Sequence, residues 1–183
     1  MLLTITGMPC CGKSTAIEVM QSLSIPVVNM GDAVRQKMGQ EKVDLKNIRE
    51  YSTNLRENSG AGFVAHLCIP LIENVMSEGG SVCVDGVRNL EEVAVFKNHN
   101  AEFGKVVLIG IHCPQDVRFD RCSKRGRADD YTEFENFLMR DKKELEWGIG
   151  SVIAMSDFMI VNDSGKEKLV SDLKKILEKI GVA

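Results

Sequence analysis

One short stretch constrains the fold of this 183-residue chain more than any other: GMPCCGKST, which runs from Gly7 to Thr15. It follows the apolar segment LLTIT (2–6), which reads as a strand, and precedes the helical pattern KSTAIEVMQSL (13–23). The stretch satisfies the pattern G-x-x-x-x-G-K-[ST] with Gly7, Gly12, Lys13 and Ser14. A strand, a glycine loop and a helix in this order predict an α/β chain whose loop binds phosphate.

The chemistry of this loop explains its residue types. The glycines let backbone N–H groups approach phosphate oxygens, and the following helix adds the positive end of its dipole. Lys13 is placed to reach the terminal phosphates of a nucleotide, and Ser14 to coordinate Mg²⁺. A purely structural turn would explain the glycines but not the lysine and the hydroxyl, so we expect ATP and Mg²⁺ as cofactors. The residues expected at the nucleotide are Gly7, Met8, Pro9, Cys10, Cys11, Gly12, Lys13, Ser14 and Thr15.

A magnesium site needs a second acidic anchor, and SVCVD (81–85) supplies one. It is an apolar strand that ends in Asp85, which matches the Walker B pattern of a carboxylate at the exit of a strand. Alone, such an aspartate is often only a helix cap. Together with the phosphate loop, it predicts that Ser14 and Asp85 hold the metal ion.

Short apolar runs alternate with helical patterns along the chain. The runs predicted as strands are 2–6, 25–29, 81–85, 105–113 and 156–163. This alternation is typical of a parallel sheet that helices cover on both faces. The sequence therefore predicts an α/β three-layer sandwich with a five-stranded parallel sheet, as a single domain over residues 1–183. Ligands bind beyond the carboxyl ends of such strands. The segments expected on that rim are 7–15, 30–35, 85–88 and 113–118.

One helical pattern carries two finer predictions. In GFVAHLCIPLIENVM, a buried stripe is predicted at every fourth residue, namely Phe63, Leu67, Leu71 and Val75. Pro70 lies inside the same pattern and should kink or interrupt the helix.

Charge and cysteine usage exclude some classes of function. Twenty-three Lys and Arg against 26 Asp and Glu give a net charge of −3, which argues against a general binder of nucleic acid or acidic membranes. No apolar run reaches the length of a membrane span, and no basic leader precedes the first apolar residues. We therefore expect a cytoplasmic protein whose six cysteines are reduced thiols. The absence of a C-x-x-C pair argues against zinc, and Cys68 and Cys83 are expected in the core.

The motifs GMPCCGKST, GDAVR, DGVR and DRCSKRGRADD occur in the order seen in the adenylate kinase-like nucleoside monophosphate kinases. The chain resembles this family from Leu2 to about Ser164, and is most similar to its small archaeal adenylate kinase-related group. The resemblance implies a helical acceptor-binding subregion at about 31–80 and a short lid at about 121–131.

The resemblance also implies roles for individual residues. The acceptor would be bound by Asp32, Arg35, Arg56 and Arg88. Arg121 and Asn162 would lie at the donor nucleotide. The catalytic set would comprise Lys13, Arg88, Arg125, Arg127 and Arg140, with the lid arginines paired to Asp129 and Asp130. Arg118 and Lys124 are interpreted as surface charges.

The chain departs from the family pattern in two places. Cys10 stands where glycine is usual, and a positive φ there would carry strain. We expect Cys10 and Cys11 to offer backbone N–H groups to phosphate, with their side chains as small spacers. The alternative is redox control, because the helix N-terminus and Lys13 favour a thiolate, and a bulky group added to it would block ATP. Met30 replaces a usual threonine, which leaves the identity of the acceptor open.

The leading functional hypothesis is ATP- and Mg²⁺-dependent phosphoryl transfer to a small phosphorylated acceptor, with a nucleoside monophosphate as the first choice. The alternatives are a kinase for another small molecule, such as dephospho-coenzyme A, and an ATPase switch that drives an RNA–protein assembly. A nucleotide-binding protein without catalysis is a weaker third. The expected partner is a small molecule rather than a membrane, and the protein is a monomer or a homodimer.

Overall fold

The computed structural model describes residues 1–77, 79–125 and 132–182. Within these ranges lies one parallel sheet of five strands, in the order β2-β3-β1-β4-β5. The strands are β1 (Leu2–Thr6), β2 (Val27–Asn29), β3 (Val82–Asp85), β4 (Val106–His112) and β5 (Phe158–Val161). The predicted five-stranded parallel sheet is therefore confirmed.

Helices connect the strands. They are α1 (Lys13–Ser22), α2 (Met30–Gln40), α3 (Ile48–Ser59), α4 (Phe63–Met76), α5 (Leu90–Asn98), α6 (Asn100–Phe103), α7 (Gln115–Arg125), α8 (Phe134–Glu146), α9 (Ile149–Ala154) and α10 (Lys166–Lys179). A 3-10 helix, Leu45–Asn47, precedes α3. The predicted acceptor subregion, 31–80, thus consists mainly of α2, α3 and α4.

The sheet separates two apolar cores, as a three-layer sandwich requires. One core joins the sheet to α2, α4, α5 and α9, through residues that include Val34, Ile72, Val84, Phe96, Leu108 and Val152. The other joins it to α1 and α10, through residues that include Leu3, Ile5, Met20, Leu173 and Leu177. Because both faces are covered, the central strand β1 is buried along its whole length. Cys68 and Cys83 lie in these cores as predicted.

The strand register brings the phosphate loop close to the end of β3. Ile5 of β1 pairs with Asp85, the last residue of β3. The Thr6 hydroxyl then donates to the carbonyl of Val87 at 2.8 Å, which ties the segment after β3 to the end of β1. The loop that starts at Gly7 therefore begins beside a carboxylate that is far away in sequence.

Of the kink or interruption predicted at Pro70, the interruption does not occur in helix α4. The helix runs without a gap from Phe63 to Met76. Pro70 lies on its exposed side, and so does His66, whose carbonyl loses its hydrogen-bond donor to the proline. Water can satisfy that carbonyl, which lowers the cost of a proline at this position.

The buried stripe of α4 is also displaced from the predicted one. Its buried residues are Val64, Ala65, Cys68 and Ile72, whereas the predicted stripe is only partly buried. Apolar residues surround most of this helix, so a four-residue spacing fits two neighbouring stripes equally well. Packing against the sheet selects one of them.

No single helix in the described ranges is both long enough and apolar enough to cross a membrane. Within those ranges, one pair of helices, Glu50–Ser59 and Phe63–Met76, passes that test together, but it is bent by 96°.

Candidate active site

The phosphate loop, residues 7–15, has a backbone that its glycines make possible. Gly12 has a φ of 112°, and a Cβ atom there would overlap the side-chain amide of Asn162. A Cβ atom on Gly7 would lie 2.5 Å from the carbonyl oxygen of Ile111. The first glycine is therefore required by the close approach of β4, and the second by both its dihedral angle and its crowded surroundings.

Lys13 folds back over the loop that precedes it. Its ammonium donates to the carbonyl of Gly7 at 2.5 Å and to the carbonyl of Met8 at 3.2 Å. A phosphate held by the loop amides would lie next to this positive charge, which is the arrangement that the motif predicts.

The loop forms one wall of a first cavity of about 330 Å³. Twelve of the residues predicted from the sequence line it: Gly7, Pro9, Cys10, Gly12, Lys13, Ser14, Thr15, Asp85, Arg88, Arg121, Arg125 and Arg140. Met8 and Cys11 do not line this cavity. The Cys11 N–H, expected to face phosphate, instead donates to the carbonyl of Met8 at 3.2 Å, and the Cys11 side chain is buried.

A second cavity of about 250 Å³ adjoins the first. Arg35 and Arg56 line it, together with apolar side chains of α2, α3 and α4 such as Val34, Ile48 and Val64. Both cavities are lined by Lys13, Asp85, Gly86, Arg88, Arg140 and Glu144. The two spaces therefore meet where the lysine of the loop, the carboxylate of β3 and two arginines come together.

Asp85 carries an oxygen that fits a metal ion. Its Oδ2 accepts a hydrogen bond from Asn29 at 2.9 Å, whereas Oδ1 is buried and has no hydrogen-bond partner among the described residues. Burial raises the pKa of this carboxyl above its usual value, and the charges of Lys13 and Arg88 oppose that rise. Asp85 and Ser14 line the same cavity, and a carboxylate and a hydroxyl are hard oxygen ligands of the kind that suit Mg²⁺.

Glu144 and Trp147 belong to this site, although the sequence analysis missed them. Glu144 is buried, with Oε2 at 3.1 Å from Nε of Arg88 and Oε1 at 3.9 Å from Nε of Arg140. The guanidinium carbons of Arg56 and Arg88 lie 5.0 and 4.9 Å from the centre of the Trp147 ring, within cation–π range. Glu144 and Trp147 therefore orient the guanidinium groups of the arginines that they contact.

Glu92 binds two of these arginines, Arg56 and Arg88. It is fully buried, and its carboxylate accepts from the Arg56 guanidinium at 2.8 Å and from the Arg88 backbone N–H at 2.7 Å. Burial raises its pKa, and the charge of Arg56 opposes the rise. Its own N–H is capped by Asn89 at 2.7 Å. The spacing Asn89-x-x-Glu92 resembles a capping box, which is the sequence signal that marks Glu92.

Arg118 is not the surface charge that the sequence suggested. It is buried, and its guanidinium makes a two-pronged ion pair with Asp141 at 2.8 and 2.5 Å. It also donates to the carbonyls of Pro9 and Cys113, each at 3.2 Å. The prediction failed because its partner comes from α8, while Lys124 does pair on the surface, with Asp120. Arg118 therefore fastens the phosphate loop to α7 and α8.

Asn162 lies behind the loop rather than in either cavity. Its side-chain amide donates to the carbonyl of Cys11 at 2.8 Å, and its carbonyl accepts from Arg121 at 3.2 Å. The residue is buried. These contacts give it a supporting position under the loop, and its contact with the donor base stays a prediction.

Two other predicted positions differ from expectation or fall outside the described ranges. Asp32 is exposed, pairs with Arg35 at 3.2 Å and lines neither cavity. Arg127, Asp129 and Asp130 lie outside the described residues, as does most of the predicted lid. Of that lid, 121–125 form the last turn of α7.

The cysteines contradict the expectation of six reduced thiols. Cys10 and Cys122 form a disulfide across 112 residues, with their Cα atoms 5.6 Å apart. The Cys10 side chain is therefore not a mere spacer, because it connects the loop to α7. Cys10 has a φ of 62°, the left-handed conformation in which a cysteine was expected to carry strain. Cys11, Cys68, Cys83 and Cys113 are free and buried.

A parallel sheet with a phosphate loop after β1 and a carboxylate at the end of β3 defines a P-loop kinase-like protein. A family model described as an AAA domain matches residues 6–136. Shikimate kinase from Aquifex aeolicus is similar over 100% of this chain and 99% of its own, with 16% identity and a TM-score of 0.56. Dephospho-CoA kinase from Campylobacter jejuni is similar over 98% of this chain and 96% of its own, with 17% identity and a TM-score of 0.57. At these identities the likeness concerns the fold.

The chain belongs to the UPF0200 family of archaeal proteins. The UPF0200 protein of Pyrococcus abyssi is 42% identical to it over an alignment of 185 positions, which covers 98% of this chain and 97% of that relative. The family name states no activity.

Proposed function

We propose that this protein transfers a phosphoryl group from ATP to a small acceptor that already carries a phosphate, and that a nucleoside monophosphate is the first candidate. The observation that supports this most strongly is the junction of two cavities at Lys13, Asp85, Arg88 and Arg140. A hydrolase needs room for the nucleotide and a water, whereas two adjoining spaces that share cations suit two anionic substrates placed end to end.

The first cavity would take the donor. The amides of the phosphate loop and the Lys13 ammonium would surround the terminal phosphates of ATP, and Arg121 and Arg125 would face them from α7. Ser14 and Asp85 are the residues that would hold Mg²⁺, which when bound neutralises charge on the β- and γ-phosphates.

The second cavity would take the acceptor. Its wall contains the cations Lys13, Arg35, Arg56, Arg88 and Arg140 and the anions Asp85 and Glu144. This excess of positive charge selects an anionic molecule, and an arginine fork can hold two oxygens of one phosphate. The apolar side chains from α2, α3 and α4 leave a surface for the rest of the acceptor, in the region predicted to bind it (31–80).

The protein would catalyse the transfer by positioning the two substrates and by stabilising the charge of the transition state, without a covalent intermediate. An oxygen of the acceptor phosphate attacks the γ-phosphorus, and the bond from that phosphorus to the β–γ bridging oxygen breaks. Lys13, Arg88 and Arg140 lie at the junction where this charge moves, so they would stabilise the transition state more than the bound substrates. Arg125 and Arg127 of the proposed lid would complete this set.

An acceptor screen tests the proposal. ADP formation from Mg-ATP is measured with each nucleoside monophosphate, with shikimate, with dephospho-coenzyme A and with no acceptor. We expect turnover that depends on one phosphorylated acceptor and that falls in Arg88→Ala at a fixed acceptor concentration. Lys124→Ala, an exposed lysine paired with Asp120, is the control that should keep full activity.

The same screen separates the competing functions. Turnover of ATP without any small acceptor, raised only by an RNA–protein partner, would support the ATPase switch and contradict the kinase. Binding of ATP with no turnover under any condition would favour the non-catalytic alternative.

A further inference from the structure

We propose that the Cys10–Cys122 bond is a thiol–disulfide exchange site that opens into the first cavity and is attacked at Cys10 by small thiols. Cys10 is partly exposed and lines that cavity, whereas Cys122 is fully buried on α7. A thiolate that enters this cavity therefore meets Cys10, whereas Cys122 is covered by the rest of the protein. The proposal rests on the proposed function only in taking the first cavity as the nucleotide site.

The exchange is balanced without any further reactant. A small thiolate, RS⁻, attacks the Cys10 sulfur, a new S–S bond forms between R and Cys10, and the bond to Cys122 breaks. Cys122 leaves as a thiolate and takes a proton. A second RS⁻ releases Cys10 and yields RSSR, so that two electrons pass from the small thiols to the protein. A low-molecular-weight disulfide such as RSSR is the oxidant for the reverse reaction.

The mixed disulfide places its adduct in the space that the donor needs. Gly12, Lys13 and Ser14 line the same cavity as Cys10, so a group attached to Cys10 occupies the region in front of the phosphate loop. An anionic thiol such as glutathione also brings negative charge beside Lys13 and the N-terminus of α1, where the donor's phosphates would bind. The adduct and the nucleotide therefore exclude each other.

The phosphate loop keeps its attachment to α7 when the disulfide opens. Arg118 lies one turn before Cys122 on α7, and its guanidinium binds the Pro9 carbonyl and the Asp141 carboxylate. The loop is thus held at adjacent residues, by the covalent bond at Cys10 and by the hydrogen bond from the Arg118 guanidinium to the Pro9 carbonyl. Opening the first leaves the second in place, so the exchange should change donor access without unfolding the site.

Competition works in both directions. If the nucleotide covers Cys10, only the nucleotide-free protein exchanges, so the exchange rate falls in proportion to the fraction of protein without nucleotide. A nucleotide held at about 100 times its dissociation constant should slow the exchange roughly 100-fold.

The experiment uses the full chain purified without reductant. Reduced glutathione is added, the reaction is stopped with acid, and the adduct is located by peptide mass mapping. We expect glutathione on Cys10 and none on Cys122. The rate is then measured with a saturating, non-hydrolysable ATP analogue whose binding is followed separately, and it should fall as calculated above. Six free thiols at the start, an adduct on Cys122, or an unchanged rate with bound analogue would each overturn the proposal.

Matched variants complete the test. Cys122→Ala and Cys68→Ala each remove a fully buried sulfur atom. Cys122 belongs to the disulfide, whereas Cys68 is a free cysteine of the core. Cys68→Ala should exchange like wild type. Cys122→Ala should bind the analogue normally and lose that binding when oxidised glutathione modifies Cys10. If the analogue binds no form of the protein, both the proposed function and the protection fail; if it binds and does not protect, only the exchange site fails.

Discussion

Arg88 lies where the two cavities of the proposed two-substrate site meet. Its guanidinium lines both cavities, pairs with Glu144 and stacks on Trp147, while its backbone N–H is held by Glu92. The residue is therefore held at its backbone and at its charged end, which lowers the entropy lost when a substrate binds. Such a residue should contribute more to positioning than an arginine on a free surface.

Lys13→Ala should lower kcat by about 100- to 1,000-fold, because it removes a charge that faces the terminal phosphates where charge develops in the transition state. The measurement is ADP formation with saturating acceptor, together with a circular dichroism melt to establish folding. Lys124→Ala serves as the matched lysine control. A variant that folds and retains wild-type kcat would contradict the role given to Lys13.

Arg88→Ala should raise the KM for the acceptor more than it weakens ATP binding. Truncating one partner of a buried hydrogen-bonded charge pair costs about 2–5 kcal/mol, and here the loss falls on the phosphate that the fork would hold. Arg88→Lys keeps the charge but not the fork, so it should recover only part of the affinity. An unchanged acceptor KM in Arg88→Ala would show that the second cavity is wrongly assigned.

Glu92→Gln should destabilise the protein by about 3 kcal/mol, because the buried guanidinium of Arg56 loses its counter-charge. For a chain of this size the melting temperature should fall by about 6–12 °C. The acceptor KM should rise as well, since Glu92 also holds the Arg88 backbone. The neighbouring, exposed Glu91→Gln is the control. Loss of stability with an unchanged acceptor KM would limit Glu92 to a structural role.

At the scale of elements, the contact between α7, α8 and the phosphate loop is the least expected feature. Arg118 and Asp141 are both almost completely buried, and their ion pair joins the two helices that flank residues 126–131. The pair also reaches the loop through Pro9. The position of the loop therefore depends on helices that follow it by more than 100 residues.

Arg118→Met should cost about 3–5 kcal/mol, because Asp141 is left as an unpaired buried charge. The double variant Arg118→Met, Asp141→Leu should recover most of that loss, as measured by urea unfolding. Its nucleotide affinity should stay low, since the bond to the Pro9 carbonyl is still missing. Lys124→Met, in an exposed pair, should change stability by less than about 0.5 kcal/mol. Full recovery of nucleotide binding in the double variant would contradict a positioning role for Arg118.

The elements themselves were largely predictable from the sequence, and the reasons are local. All five strands follow from apolar runs, and the helices around them from amphipathic spacing. The short helices α6 and α9 were missed, because four and six residues are too few to show a period. The helix continues through Pro70 without interruption because exposure, which is a tertiary property, decides what a proline costs.

The site was predictable where a motif fixes the spacing and less so where packing decides. The phosphate loop, Asp85 and Arg88 come together as the order of the strands requires. Arg118, Glu144 and Trp147 gave no signal, since each acquires its place from a partner on another element. The bond between Cys10 and Cys122 spans 112 residues and depends on how α7 lies against the loop.

At the scale of the whole molecule, the adjoining cavities predict that one ligand can fill both. A dinucleotide joined by a polyphosphate chain should stabilise the protein more than ATP at equal concentration. At about 100 times its dissociation constant it should add about 2.7 kcal/mol of stability. Differential scanning fluorimetry measures the shift. Arg35→Ala should reduce the shift with the dinucleotide and not with ATP, because Arg35 lines only the second cavity. Equal losses with both ligands would contradict two separate spaces.

The indole at the junction has a practical consequence. Trp147 is the only tryptophan in the chain, and two guanidinium groups lie within 5.0 Å of the centre of its ring. Any molecule that draws either cation away changes the electrostatic surroundings of the sole indole fluorophore. The intrinsic fluorescence of Trp147 can therefore be used to follow ligand binding in the second cavity in real time, without an added label.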